Sequence, residues 1–238
     1  MILLNVRFAA LVAVLIGSLA LPVFALDPTA AEHAAAIKAL LAKSQTVLRH
    51  YEWLETTVVS LKGEEQSRKQ MRCLYGADGV VRKEPVQQSD PKVKKLASFG
   101  RNTEITKKQK EELANVIADA EKLIHQYVPL NQNGIQAADK EGKLKYQLIE
   151  TGKRGRLTIR NFLKSGDSID LDMDLTNNRP LLLNIFSYLN FEAEPVSLAA
   201  SFGALNGTTI YTAETVLEVR RRNLTITVQN SGYHKKNQ

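Results

Sequence analysis

The sequence predicts an α+β protein built on a strongly curved antiparallel sheet, an incomplete β-barrel of about ten strands with helices covering its concave face. Three observations lead there. From Gly142 onward, apolar residues alternate with polar ones, and turn dipeptides break the runs: Thr151-Gly152, Ser165-Gly166, Asn177-Asn178, Asn206-Gly207 and Arg222-Asn223. Helical periodicity is confined to two long stretches, near 29–49 and 107–127. A flat sheet of about ten strands is disfavoured, so the strands should curl and leave a concave face to be covered.

The first 25 residues, MILLNVRFAALVAVLIGSLALPVFA, read as a cleavable secretory leader: Arg7, an apolar run from Phe8 to Leu21, then Pro22 and a small residue at Ala25. Cleavage is expected after Ala25, giving a periplasmic or secreted protein. No cysteine follows the run, so no lipid anchor is expected, and no later segment is apolar enough for a stable membrane span. Residues 26–238 then form a single domain of curved sheet plus helices, about 213 residues, a size that suits one β-rich unit.

Asp27-Pro28-Thr29 opens the first helix, with a capping residue followed by proline in the first turn. Ile37, Leu40, Leu41, Val47 and Leu48 carry its apolar stripe. The period then switches to two: a strand from Tyr51 is closed by Lys62-Gly63. A second strand near 66–76 sets Met71, Cys73 and Tyr75 on one face and Arg68, Gln70 and Arg72 on the other. Asp78-Gly79 supplies a hairpin turn, and Val80–Val86 returns as a third strand. Residues 87–103 are polar and aperiodic, the pattern of a loop. In 107–127, Leu113, Val116, Ile117, Ala120, Leu123, Ile124 and Tyr127 make one continuous face, and Pro129 ends it. A short helical piece near 132–141 precedes strands near 143–150, 155–163, 168–175, 180–191, 195–205, 208–220 and 223–230.

The net charge of +7 becomes +6 once Arg7 leaves with the leader, which favours an anionic surface as partner. The basic clusters around 92–95, 153–156 and 220–222 lack interleaved aromatics, so no nucleic acid is expected. Cys73 is the one cysteine, so there is no internal disulfide, and its place on an apolar strand face makes it a buried small hydrophobe. The scattered histidines show no metal spacing and form no pair with Cys73, so neither a cofactor nor a metal is expected.

The stretch GDSIDLDMDL, 166–175, bears four aspartates. Its spacing resembles the DxxDxDxE signature of family 18 chitinases. That reading needs a parallel βα barrel, and here Ser168 and Asp174 stand where the signature has glycine and glutamate. Gly166-Asp167-Ser168 also resembles the start of GDSL hydrolases, whose serine lies early in a doubly wound fold. Period two throws Asp170, Asp172 and Asp174 to one side, parallel rather than convergent as a calcium site requires. They read as the wet face of a half-buried strand, offset by Arg156 and Arg160 on its neighbour.

Tyr51-Glu52-Trp53, Cys73-Leu74-Tyr75-Gly76 with Asp78-Gly79, Ile124-His125-Gln126-Tyr127-Val128-Pro129, Gly166-Asp167-Ser168 and Asn230-Ser231-Gly232-Tyr233 together resemble a family of exported bacterial proteins without assigned activity. The order of helix, strands, helices and many strands is similar to the periplasmic lipoprotein carriers of the LolA, LolB and LppX type. That resemblance implies a half-barrel whose helical lid encloses acyl chains. The expected function is therefore non-catalytic binding of a hydrophobic small molecule, lipid or acylated protein. Expected wall residues are Trp53, Met71, Tyr75, Leu171, Met173 and Phe202, with Val116, Ile117, Leu123 and Ile124 on the lid. The alternative is an envelope interaction or structural protein with a packed core, acting through a basic surface at 92–110.

Overall fold

The computed structural model describes residues 28–86, 107–127, 137–189 and 194–236. The expected leader and the polar loop 87–103 lie outside these residues. Ten strands form one antiparallel sheet in the order β3-β2-β1-β10-β9-β8-β7-β6-β5-β4, and its two edge strands, β3 and β4, do not pair. The strands are β1 (Tyr51–Leu61), β2 (Glu64–Tyr75), β3 (Val81–Pro85), β4 (Leu144–Glu150), β5 (Arg154–Arg160), β6 (Ser168–Asp174), β7 (Arg179–Tyr188), β8 (Pro195–Leu205), β9 (Thr209–Val219) and β10 (Leu224–Lys235). Two helices accompany them, α1 (Pro28–Leu48) and α2 (Lys107–Tyr127), and residues 137–140 form one helical turn.

Register converts the alternating sequence into a core. Ile159, Ile169, Ile185, Leu198, Leu217, Ile226 and Val59 are direct partners across seven neighbouring strands, and every one is buried. One register step along lies a second row: Leu157, Leu171, Leu183, Ala200, Thr215 and Val228. Burying each large aliphatic side chain contributes about 1.5–3 kcal/mol. A one-residue slip would turn both rows to solvent, so the rows fix the register. The tight turns agree with it: Lys62-Gly63, the two-residue link between β1 and β2, and Asn206-Gly207, in the three-residue link between β8 and β9, hold positive φ at both positions. Register shifts interrupt β1–β10, β1–β2, β4–β5, β6–β7 and β8–β9, and such bulges bend strands locally.

Both helices bury residues in the same hydrophobic cluster as the sheet. On α1 these are Ile37, Leu41 and Leu48, and α1 packs mainly on β9. On α2 they are Ile117, Ala120, Leu123, Ile124 and Tyr127, at spacings of three and four. Tyr127 fastens the end of α2. Its hydroxyl lies 2.7 Å from the Asp167 carboxylate and 2.7 Å from Ser187 Oγ, which points to the core from β7.

The strand limits depart from expectation in two informative places. The second strand begins at Glu64, because the hairpin is tight and pairing resumes at once. The last strand does not stop at 230 but runs to Lys235, with Gly232 at φ 63 carrying it through an irregularity where it follows β1.

Candidate functional site at the seam between β9 and β10

Strand β10 pairs with β1 along its whole length, and β9 pairs with β8 along its whole length. The two pair with each other only from Leu224↔Val219 to Gln229↔Glu214. Beyond that point they diverge, and the first residues of β9, Thr209–Ala213, have no β10 partner. The sheet is thus split into two blocks over part of its length, and backbone groups along the split must find other partners.

Side chains supply them. The Ile210 N–H donates to Ser44 Oγ of α1 at 2.8 Å, and that hydroxyl donates in turn to the Leu40 carbonyl at 2.7 Å. The Asn230 amide donates to the Thr212 carbonyl at 3.0 Å, while its oxygen accepts from Trp53 Nε1 at 3.0 Å. Aromatic rings fill the remaining gap. Tyr233 stacks on Trp53 at 5.5 Å and meets Tyr211 at 4.5 Å, and Tyr75 lies 5.5 Å from Trp53. Tyr211 fits because its cross-strand partner is Gly203, where a Cβ would stand 2.6 Å from the ring.

The seam leaves oxygen atoms unsatisfied. Thr212 and Thr215 are 2 % and 0 % exposed, and neither Oγ1 has a hydrogen-bond partner. The third such atom among the described residues is Oε1 of Glu121 on α2, whose carboxyl is pushed above its ordinary range by burial. Orphaned buried hydroxyls are costly, about 1–3 kcal/mol each, unless something else meets them.

Chemistry at the adjacent strands is subdued. Cys73 is buried, and burial, with help from the Glu55 carboxylate, pushes its thiol up to about 12, so it stays protonated at neutral pH. Glu55 is buried and paired with Lys83. Burial also raises the hydroxyls of Tyr75 and Tyr233.

All ten expected wall and lid residues lie in or against the hydrophobic cluster, but not at one place. Trp53, Tyr75 and Phe202 gather at the seam, Phe202 as the cross-strand partner of Thr212. Met71 pairs with Glu55 one strand further out. Leu171 and Met173 are on β6, three strands beyond β9, and Val116, Ile117, Leu123 and Ile124 are on α2. Sequence reasoning missed Ser44, Tyr211, Thr212, Thr215, Asn230 and Tyr233. Gly232 inside an apolar strand was the available signal, since such a glycine marks a bulge or a close approach.

The aspartate row corrects an expectation. Asp172 is not on a wet face: its side chain is 3 % exposed, clamped by Arg156 at 2.5 and 2.8 Å, with Arg154 at 3.4 Å. Arg156 was the expected partner. Arg160 was expected beside it, but register sets Arg160 opposite Ser168 instead of an aspartate. Asp170 accepts from Thr158, and Asp174 accepts from Asn177 and Arg179. Burial alone would raise the Asp174 carboxyl, but the bonds from Asn177 and Arg179 outweigh it and hold the group below its ordinary value. Each aspartate has a separate partner, so the row serves the sheet.

No known protein family and no curated protein matches the sequence. Among solved structures, the chain is similar to a DUF1329 family protein from Desulfovibrio piger (TM-score 0.39, 12% identity, 89% of this chain and 94% of that one). It is also similar to a LolA superfamily protein from Nitrosomonas europaea (TM-score 0.36, 10% identity, 85% and 94%). A third is a domain described as an outer membrane lipoprotein-sorting protein, from Vibrio parahaemolyticus (TM-score 0.38, 12% identity, 88% and 91%). Among the described residues, no helix is long and apolar enough to cross a membrane.

Proposed function

We propose that this chain is an exported, single-domain, non-catalytic carrier that holds a lipid or acyl chain between its sheet and its helices. In this reading the sheet curls, α1 and α2 lie over its concave face as a lid, and the leader is removed after Ala25. The ligand tail lies among the expected residues Trp53, Met71, Tyr75, Leu171, Met173 and Phe202 below and Val116, Ile117, Leu123 and Ile124 above.

One observation carries the proposal. Two buried hydroxyls have no hydrogen-bond partner: Thr212, where β9 has left β10, and Thr215, just inside the paired stretch, both on strands that otherwise present mainly apolar side chains to the core. A ligand with an apolar tail and a carbonyl or carboxyl oxygen satisfies both halves of that environment. Each buried methylene contributes about 0.8 kcal/mol, so a tail of roughly ten carbons supplies about 8 kcal/mol, near micromolar affinity.

The test is organic extraction of the purified full chain followed by mass spectrometry. Lipid or fatty acid recovered near one per chain is expected. An extract free of lipid, from protein that also takes up none when incubated with lipid vesicles, contradicts the carrier reading.

A further inference from the structure

The face of the sheet opposite the core carries a second feature. A half-open cleft of about 330 Å³ crosses β6 to β9 there. It lies on the alternate residues of the same strands that build the core rows, so it is separate from the helix–sheet interior. Its origin is visible in the register. Ser168, Phe186, Ser197 and Glu218 are partners in one line, and Asp170, Asn184, Ala199 and Val216 in the next. The β8 members, Ser197 and Ala199, are small and form a trough. Phe186 and Asn184 rise on one side, and Glu218 with Arg220 on the other.

We propose that this cleft binds a neutral saccharide, one or two hexopyranose rings of a glycan. Phe186 is 39 % exposed, the only aromatic among the large hydrophobics left exposed in the described residues. An exposed ring is a platform for the C–H face of a pyranose, which is apolar, while the hydroxyls around the sugar's rim need polar partners. The cleft offers them in the required form. Asp170, Asn184, Glu218 and Arg220 are all planar groups with paired polar atoms, spaced to bridge neighbouring hydroxyls. Donors and acceptors are both present, as a hydroxylated ligand demands. Glu218 is held beside the trough by Ser197 Oγ at 3.4 Å and Arg220 at 3.6 Å, while Asp170, at the far rim, accepts from Thr158 Oγ1 of β5 at 2.5 Å. Arg220 partly offsets the Glu218 charge, which disfavours a simple cation on that side of the trough. A shallow, polar, half-open site with a single ring suits a ligand that keeps part of its hydration, unlike the apolar enclosure of a drug-like pocket.

The experiment is amide NMR of the isotopically labelled full chain with cellotetraose, maltotetraose and tetra-N-acetylchitotetraose. At least one is expected to shift the amides of Asn184, Phe186, Ser197 and Glu218 with a Kd of about 0.1–1 mM. Phe186→Ala should weaken that binding at least about tenfold, and Ala199→Phe, which fills the trough, should abolish it. Both side chains lie on the outer face, so amide spectra elsewhere should be unchanged. The proposal is overturned if none of the three sugars shifts these amides at about 10 mM. It is equally overturned if Phe186→Ala binds as tightly as the unaltered chain, or if tetramethylammonium shifts the same amides while the sugars do not.

Discussion

Asp167 receives four hydrogen bonds: the Tyr127 hydroxyl at 2.7 Å and the backbone N–H groups of Phe162, Leu163 and Lys164 at 2.5, 2.9 and 2.7 Å. One buried carboxylate thus orders the β5–β6 loop and fastens the end of α2. Tyr127→Phe removes the hydroxyl from both Asp167 and Ser187 and should destabilise the chain by about 2 kcal/mol in urea denaturation. An unchanged midpoint would show that the bonds merely break even with water. His234 makes a second residue-scale case. Its Nδ1 bonds the Gly232 carbonyl at 2.9 Å and its Nε2 meets Glu52 at 2.8 Å. The carbonyl first, then Glu52, raises its pKa above the ordinary 6.5. A raised histidine stabilises fully below pH 6.5, and its contribution fades as pH rises through the folded value. An NMR titration should therefore give a midpoint above 6.5, and the β10–β1 end should hold less well at about pH 8 than at about pH 6. A midpoint at or below the ordinary value would contradict the pairing.

At the scale of elements, Ser44 joins α1 to the sheet through a backbone group that the split leaves free. Ser44→Ala should accelerate hydrogen exchange at the Ile210 amide by about five- to tenfold, the equivalent of one lost bond of about 1 kcal/mol, while amides in the fully paired stretch Thr215–Val219 keep their protection. Uniform acceleration along β9 would mean that α1 acts by general packing alone. The elements themselves were legible. Helix 107–127 could be read to the residue, because its apolar face is continuous and Pro129 follows. The alternation on β6 correctly placed Ile169, Leu171 and Met173 inward. Period two assigns a face, however, not an exposure. Neighbouring hairpin strands did suggest Arg156 opposite the row, but not that its side chain folds over Asp172 and buries it. The end of β10 was hidden for a related reason: Gly232 breaks the alternation, and the pairing that continues past it is with β1, the first strand of the sheet.

At the scale of the whole molecule, the sheet is two antiparallel blocks, β3-β2-β1-β10 and β9 through β4, zipped along half a seam. No window of sequence could reveal that seam, since it exists only because β10 leaves β9 to follow β1. Hydrophobic alternation likewise cannot distinguish a ligand-lined interior from a filled one. The carrier proposal takes its support from polar satisfaction instead, through the unpartnered hydroxyls of Thr212 and Thr215. The carrier account therefore rests on the seam opening to an apolar molecule, and the chain holds its own reporter there. Trp53 is its one tryptophan, hydrogen-bonded to Asn230 beside the split. Titrating the purified full chain with dibrominated stearic acid while recording tryptophan emission tests the claim directly. Saturable quenching with a midpoint near about 1 µM, competed away by unlabelled fatty acid, is the predicted result. Emission that falls only linearly, as for a fluorophore meeting quencher by collision, would contradict it.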